Sequence, residues 1–179
     1  MTKCFYTESD VTQSASQLLI CSISLDGKSE KNQEKHFKRA FPDSWKAAKN
    51  LLKYGDNEEI NIYDKDDNKP KLGDVIWTQT GGNKHIGYCI VRNHEEENVN
   101  KDAVKLCIIS AKNKARELKL EYIGMDLFAS NGPEEWADIV DIVEDGVEEI
   151  QGVVCIPTND ALVSVMDNLP GPKTFRMIK

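Results

Sequence analysis

The segment that most narrows the fold is Gln17–Ser24. Its apolar run Leu18-Leu19-Ile20-Cys21-Ser22-Ile23 does not alternate, as expected of a strand covered on both faces in a parallel or mixed sheet. A strand buried twice needs helices on both sides, and the rest of the chain supplies them. Lys3–Thr7 alternates polar and bulky residues as a short strand that stops at Glu8-Ser9-Asp10. Ser29 is placed to cap a helix carrying Phe37 and Ala40, and Pro42 breaks it. A second helix is predicted over Asp43–Tyr54, with Trp45, Ala48, Leu51 and Leu52 on one stripe and Gly55 at its end.

The second half alternates more regularly. Asp74–Thr78 and His85–Val91 form two strands around Gly81-Gly82, a hairpin signal that outweighs any phosphate-loop reading of Gly-Gly with Lys84, since no helix follows. Asn100 can cap a helix over Lys101–Leu118, and Leu120–Leu127 reads as a strand. Pro133 opens a helix whose Trp136, Ile139, Val140, Val143, Val147 and Ile150 share a face. Gly152–Pro157, a helix from Thr158 to Asp167 and a strand over Thr174–Ile178 complete the order. The pattern predicts an α/β protein, a three-layer α/β/α sandwich with a mixed sheet. With 179 residues it is expected to be one domain, with a polar excursion at about 56–71 and a C-terminal extension at about 158–179.

Charge and cysteine use exclude several functions. Lys plus Arg number 23 against 30 Asp plus Glu, a net charge of −7, which lacks the basic footprint of nucleic-acid or anionic-membrane binding. The five cysteines are scattered through apolar runs with no C-x-x-C or H-x-x-x-H spacing, so they read as reduced, buried small side chains and give no metal site. The N-terminus lacks the apolar core of an export signal, and no run approaches the length of a membrane span. Together these point to a cytoplasmic protein. His36, His85 and His94 have no nucleophile at a diagnostic spacing and are expected on a solvated helix face, at a strand start and in a charged loop. The acidic cluster Glu144-Asp145-Glu148-Glu149 reads as a solvated helix face.

Several segments taken together resemble the macro domain superfamily, whose members bind ADP-ribose and its derivatives. Glu8-Ser9-Asp10-Val11-Thr12 ahead of the buried strand is similar to the family's Gly-Asp-Ile/Val segment. Leu72-Gly73-Asp74-Val75-Ile76 with Lys84–Val91 resembles its central hairpin, and Leu120–Leu127, Phe128–Gly132 and Pro133-Glu134-Glu135-Trp136 resemble its strand, second phosphate loop and helix. The Trp136 placement looks most like the terminal ADP-ribose protein glycohydrolase branch. The resemblance implies a ligand of ADP-ribose or a related nucleotide, an ADP-ribosylated protein as a further partner, and no cofactor or metal. It puts Asp10 and Val11 at the adenine, Ser24 and Asp26 in the first loop, and Phe128, Ala129, Ser130 and Gly132 at the diphosphate.

The departures are as specific as the matches. The first loop, Ser24–Asn32, holds one glycine where the family is glycine-rich, and Phe128 replaces the first glycine of the second loop. The branch's catalytic lysine and aspartate correspond to Arg92 or Asn93 and to Gly132, so that pair does not transfer. An enzyme would have to polarise the anomeric centre with Asp26, Asp126 or Asn131. Against each site stands a structural reading: Asp10 as a turn cap, Ser130 or Asn131 as a helix cap. Three readings follow: a domain that binds ADP-ribose or a related nucleotide and, if an enzyme, hydrolyses ADP-ribosyl linkages with Asp126 and Asn131 the foremost of those candidates, a non-catalytic protein-interaction module of the same fold, or a chance likeness of α/β order.

Overall fold

The computed structural model describes residues 4–28, 34–54, 60–61, 70–129, 131–147, 150–156 and 177–178. The strands are β1 (Cys4–Glu8), β2 (Leu18–Ser24), β3 (Ile60–Asn61), β4 (Val75–Gln79), β5 (His85–Arg92), β6 (Tyr122–Met125), β7 (Gln151–Ile156) and β8 (Met177–Ile178). The helices are α1 (Glu34–Ala40), α2 (Pro42–Tyr54), α3 (Lys101–Glu117) and α4 (Pro133–Gly146), with a single 3₁₀ turn at Val11–Gln13. The strands join in one mixed sheet in the order β3-β4-β5-β2-β6-β7-β1-β8. From β5 to β8 every neighbouring pair is parallel, and the antiparallel pairs are β3 with β4 and β4 with β5.

The doubly buried character of β2 follows from its place between β5 and β6, and all seven of its residues are buried. Its side chains divide by parity between two cores. Leu18 and Ile20 pack with Val104, Cys107, Ile108, Trp136, Ile139 and Val143 of α3 and α4. Leu19, Cys21 and Ile23 pack with Phe37, Trp45 and Ala48 of α1 and α2. The sheet is therefore the middle layer of the predicted sandwich. Close approach of α3 and α4 depends on Gly146, where a Cβ would stand 2.5 Å from the Ile108 side chain. Among the described residues no helix is long and apolar enough to cross a membrane.

Local signals act largely as the sequence suggests. The Asn100 side chain accepts the Ala103 N–H at 2.9 Å and caps α3, and Pro133 sits in the first turn of α4. The β4–β5 hairpin closes through Thr80 N–H to Lys84 O at 2.8 Å, but its left-handed residue is Asn83 (φ 67°), not either glycine. Lys84 is structural: its ammonium donates to the Ser14 and Ser16 carbonyls, both at 2.8 Å. The Leu120–Leu127 strand is shorter than expected: a left-handed Lys119 (φ 59°) and the turn around Leu118 precede its start, and it ends at Met125, with the Asp126 N–H making a last bond to Ile20 O of β2 at 3.3 Å. Within the polar excursion, Ile60 and Asn61 add the edge strand β3, which was too short to show a period. The helix expected over Thr158–Asp167 and the Ser29 cap lie outside the described residues.

Candidate functional site

Because β1, β7, β6, β2 and β5 run parallel, their carboxyl ends lie along one rim. The turn after β1, the loop after β2 and the loop after β6 open on it, and ligands of open α/β sheets bind at such a rim. Near the end of β7, burial, and after it the Asp126 and Asp10 carboxylates, hold the Cys155 thiol up at about 11 against the lowering effect of a Ser9 hydrogen bond.

Asp10 caps the 3₁₀ turn. Its carboxylate accepts the Thr12 N–H at 2.9 Å and the Thr12 hydroxyl, and its second oxygen lies 3.8 Å from His36 Nδ1 of α1. His36 thus faces the rim instead of lying on an open helix face, and Val11 is buried beside it. Helix periodicity had placed His36 on the polar side, and nothing local marks a pairing across 26 residues.

The loop after β2 starts at an irregularity in the ladder. Ile23 pairs with Ile90 but Ser24 with Arg92, so one residue of β5 is skipped. The slip lets Arg92 Nε donate to the Ser24 hydroxyl at 3.0 Å and sets its guanidinium 3.9 Å from Glu34 of α1, with both side chains fully buried. Asp26 is exposed and accepts the Lys28 N–H at 3.0 Å, and Gly27 turns the chain with φ 69°. The buried Arg92–Glu34 pair escaped sequence reasoning, because a cation at a strand end looks the same whether it ends in solvent or is covered by a helix.

The loop after β6 is closed by its own side chains. Asp126 is fully buried and binds Ser22 of β2 twice, accepting the backbone N–H at 2.8 Å and the hydroxyl at 2.7 Å. Its other oxygen accepts the Phe128 N–H at 3.0 Å. Burial raises its carboxyl above the usual value, against the lowering by the Ser22 and Phe128 bonds and by Arg92. Phe128 adopts the left-handed backbone (φ 61°) that a glycine would take, and its ring is turned wholly into the α3–α4 core. It fills the core and leaves the rim clear of its ring. Ala129 is buried too. Ser130 lies outside the described residues. Gly132 (φ 115°) precedes α4 without any side-chain cap.

Glu135, buried in the first turn of α4, ties the loop ahead of the helix to the segment before α3. Its carboxylate accepts the Asn131 N–H at 2.9 Å and the Val99 N–H. A Glu three residues past the helix start is the signal that could have found it. Asn131 is exposed, and its amide donates to Asn98 Oδ1 at 3.1 Å and Glu96 O at 3.4 Å. The acidic face of α4 is also more than solvated: Glu144 accepts the Tyr6 hydroxyl at 2.8 Å, and burial raises its carboxyl.

No protein-family model matches the chain, and no curated protein matches it in sequence. Solved structures do. The macrodomain of Mycobacterium tuberculosis DarG aligns with a TM-score of 0.67 at 16% identity, over 88% of this chain and 98% of that one. That of Thermus aquaticus DarG aligns at 0.66 and 16%, over 87% and 97%. Thermosipho africanus DarTG, solved in complex with ADP-ribose, aligns at 0.66 and 14%, over 93% of this chain and 46% of that one. The chain therefore has the macrodomain fold, in a divergent form whose sequence has moved far from these structures.

Proposed function

We propose that the protein binds ADP-ribose or a related nucleotide along the carboxyl rim, as a binding domain and not as a hydrolase. The observation that carries this reading is the convergence of three loops on one rim: Asp10 after β1, Ser24–Lys28 after β2, and Phe128–Gly132 after β6. Phe128 supports it further, since the second loop keeps a glycine-type backbone although a bulky residue stands there.

In this reading Asp10 and Val11 lie at the base and Ser24 and Asp26 at the distal ribose. Backbone groups of Phe128, Ala129 and Gly132 lie along the diphosphate. The Asp10 carboxylate keeps acceptor capacity on the oxygen that faces His36. Catalysis fits the site poorly. A general base must reach a water or a substrate proton, and Asp126 is sealed with both oxygens engaged. Asn131 has no acid–base chemistry near neutral pH and Gly132 has no side chain, which leaves the exposed Asp26, with one oxygen held by the Lys28 N–H, as the one candidate base.

Calorimetric titration with ADP-ribose tests the reading. Saturable binding is expected, with a rise in the thermal midpoint, because a ligand that binds only the folded state stabilises it. Asp10→Ala should weaken binding about tenfold, the value of roughly one charge-assisted hydrogen bond. No binding at millimolar ADP-ribose leaves the protein-interaction module. Release of ADP-ribose from a modified protein that Asp126→Asn abolishes without unfolding would restore the hydrolase.

A further inference from the structure

The loop after β2, α1 and α2 enclose an open cleft of about 460 Å³. Among the described residues five cations line it: Lys28 from the loop, Lys35, Lys38 and Arg39 from α1, and Lys49 from α2. All five are exposed, in a chain whose net charge is −7. Among the described residues its one acidic lining residue is Glu34, which is buried and lies against Arg92. Trp45 forms the floor, with the Lys49 ammonium 5.8 Å from its ring centre.

Like charges three residues apart on a helix repel, and so do those brought together from a neighbouring helix. A concave wall of one sign focuses the field and concentrates counter-ions. The acidic remainder of the molecule acts in the opposite sense: an extended polyanion leaving the cleft would run onto a net negative surface. What fits both facts is a compact anion with several charges.

We propose that this cleft binds a compact, multiply phosphorylated anion, its phosphates held by Lys28, Lys35, Arg39 and Lys49. The volume lies within the range of small-ligand sites, roughly 300–1,000 Å³. The cleft shares Gly27 and Lys28 with the loop after β2 that the ADP-ribose reading uses, but it does not include Asp10, so Asp10→Ala separates the two sites.

The test is titration with inorganic tripolyphosphate in 50 mM salt. Wild-type protein should bind it, and binding should weaken severalfold in 200 mM salt. The triple variant Lys35→Gln/Arg39→Gln/Lys49→Gln should weaken it at least tenfold with an unchanged thermal midpoint, and Lys28→Glu alone should do so severalfold. The variant Lys105→Gln/Lys112→Gln, on α3 across the sheet, should change nothing. Tripolyphosphate that fails to bind, binds the triple variant as tightly as wild type, or is weakened equally by the α3 variant overturns the proposal. ATP compared with tripolyphosphate distinguishes the sources: similar affinities are expected, and ATP binding without tripolyphosphate binding counts against it. Loss of ADP-ribose binding with tripolyphosphate binding intact would sink the nucleotide reading and leave this cleft standing.

Discussion

After β6 the chain turns inward, and after β2, on the same rim, it turns outward. The first loop in space, Asp126–Ala129, is buried throughout: its carboxylate clasps Ser22, its aromatic ring joins the α3–α4 core, and the next helix brings its own anion, Glu135. The other loop, Leu25–Lys28, holds Asp26 and Lys28 in solvent over the buried Ser24–Arg92–Glu34 set. A glycine-rich phosphate loop is rigid because its backbone N–H groups face a ligand. Here rigidity on one side comes from side chains, and on the other the charge has moved out to α1 and α2. The rim thus keeps its shape while the chemistry along it differs from one loop to the next.

Phe128 offers the largest test of this contrast. Phe128→Ala removes a fully buried ring from the α3–α4 core and should cost about 3–5 kcal/mol. Phe128→Gly removes one carbon more, yet should cost about 1 kcal/mol less than the alanine variant, because glycine takes a φ of 61° without strain. Urea denaturation of the two variants decides it. If alanine is the more stable of the two, Phe128 is not strained and the loop's backbone is not of the glycine type.

Asp126 comes next. In Asp126→Asn the amide nitrogen can serve the Ser22 hydroxyl only by facing a backbone N–H, so one buried donor loses its acceptor, at a cost of about 2 kcal/mol. The pH dependence has a definite sign. Burial sets the folded carboxyl above its usual 3.8, so its contribution to stability is complete below that value and fades as the pH rises through the folded value. Asparagine does not titrate. The gap between wild type and Asp126→Asn should therefore be wider at pH 4 than at pH 8, and a gap that widens with pH would mean the ionised form is the favoured one.

The difference between the loops also explains what was legible in the sequence. Leu18–Ile23 declared a doubly covered strand because its lack of alternation has one physical cause. Asn100, Pro133 and the α4 stripe were equally plain, since each acts on residues within a turn or two of itself. The site was less legible because its contacts are long-range. Asp126 meets Ser22 across 104 residues and Arg92 meets Ser24 across 68, and no spacing encodes either. Phe128 looked like an obstruction because the sequence shows a side chain's bulk but not its direction. The five basic residues of the cleft were passed over for a related reason: they belong to a loop and two helices that only the packing brings together.

The smallest expected effect is on the open side. Asp26 is exposed, and the one described bond of its side chain is from the Lys28 N–H two residues along, a local turn contact that water can replace. Asp26→Ala should change stability by no more than about 0.5 kcal/mol, as surface substitutions away from caps and networks usually do. It also removes a negative charge beside Lys28, so tripolyphosphate should bind the variant somewhat more tightly, and the gain should vanish in 200 mM salt as screening takes over. The two loops would lose their contrast if Asp26→Ala unfolded the protein as readily as Asp126→Asn. A neutral outcome for the first beside a costly one for the second locates the rigid half of the rim at β6 and leaves the half at β2 free to carry charge.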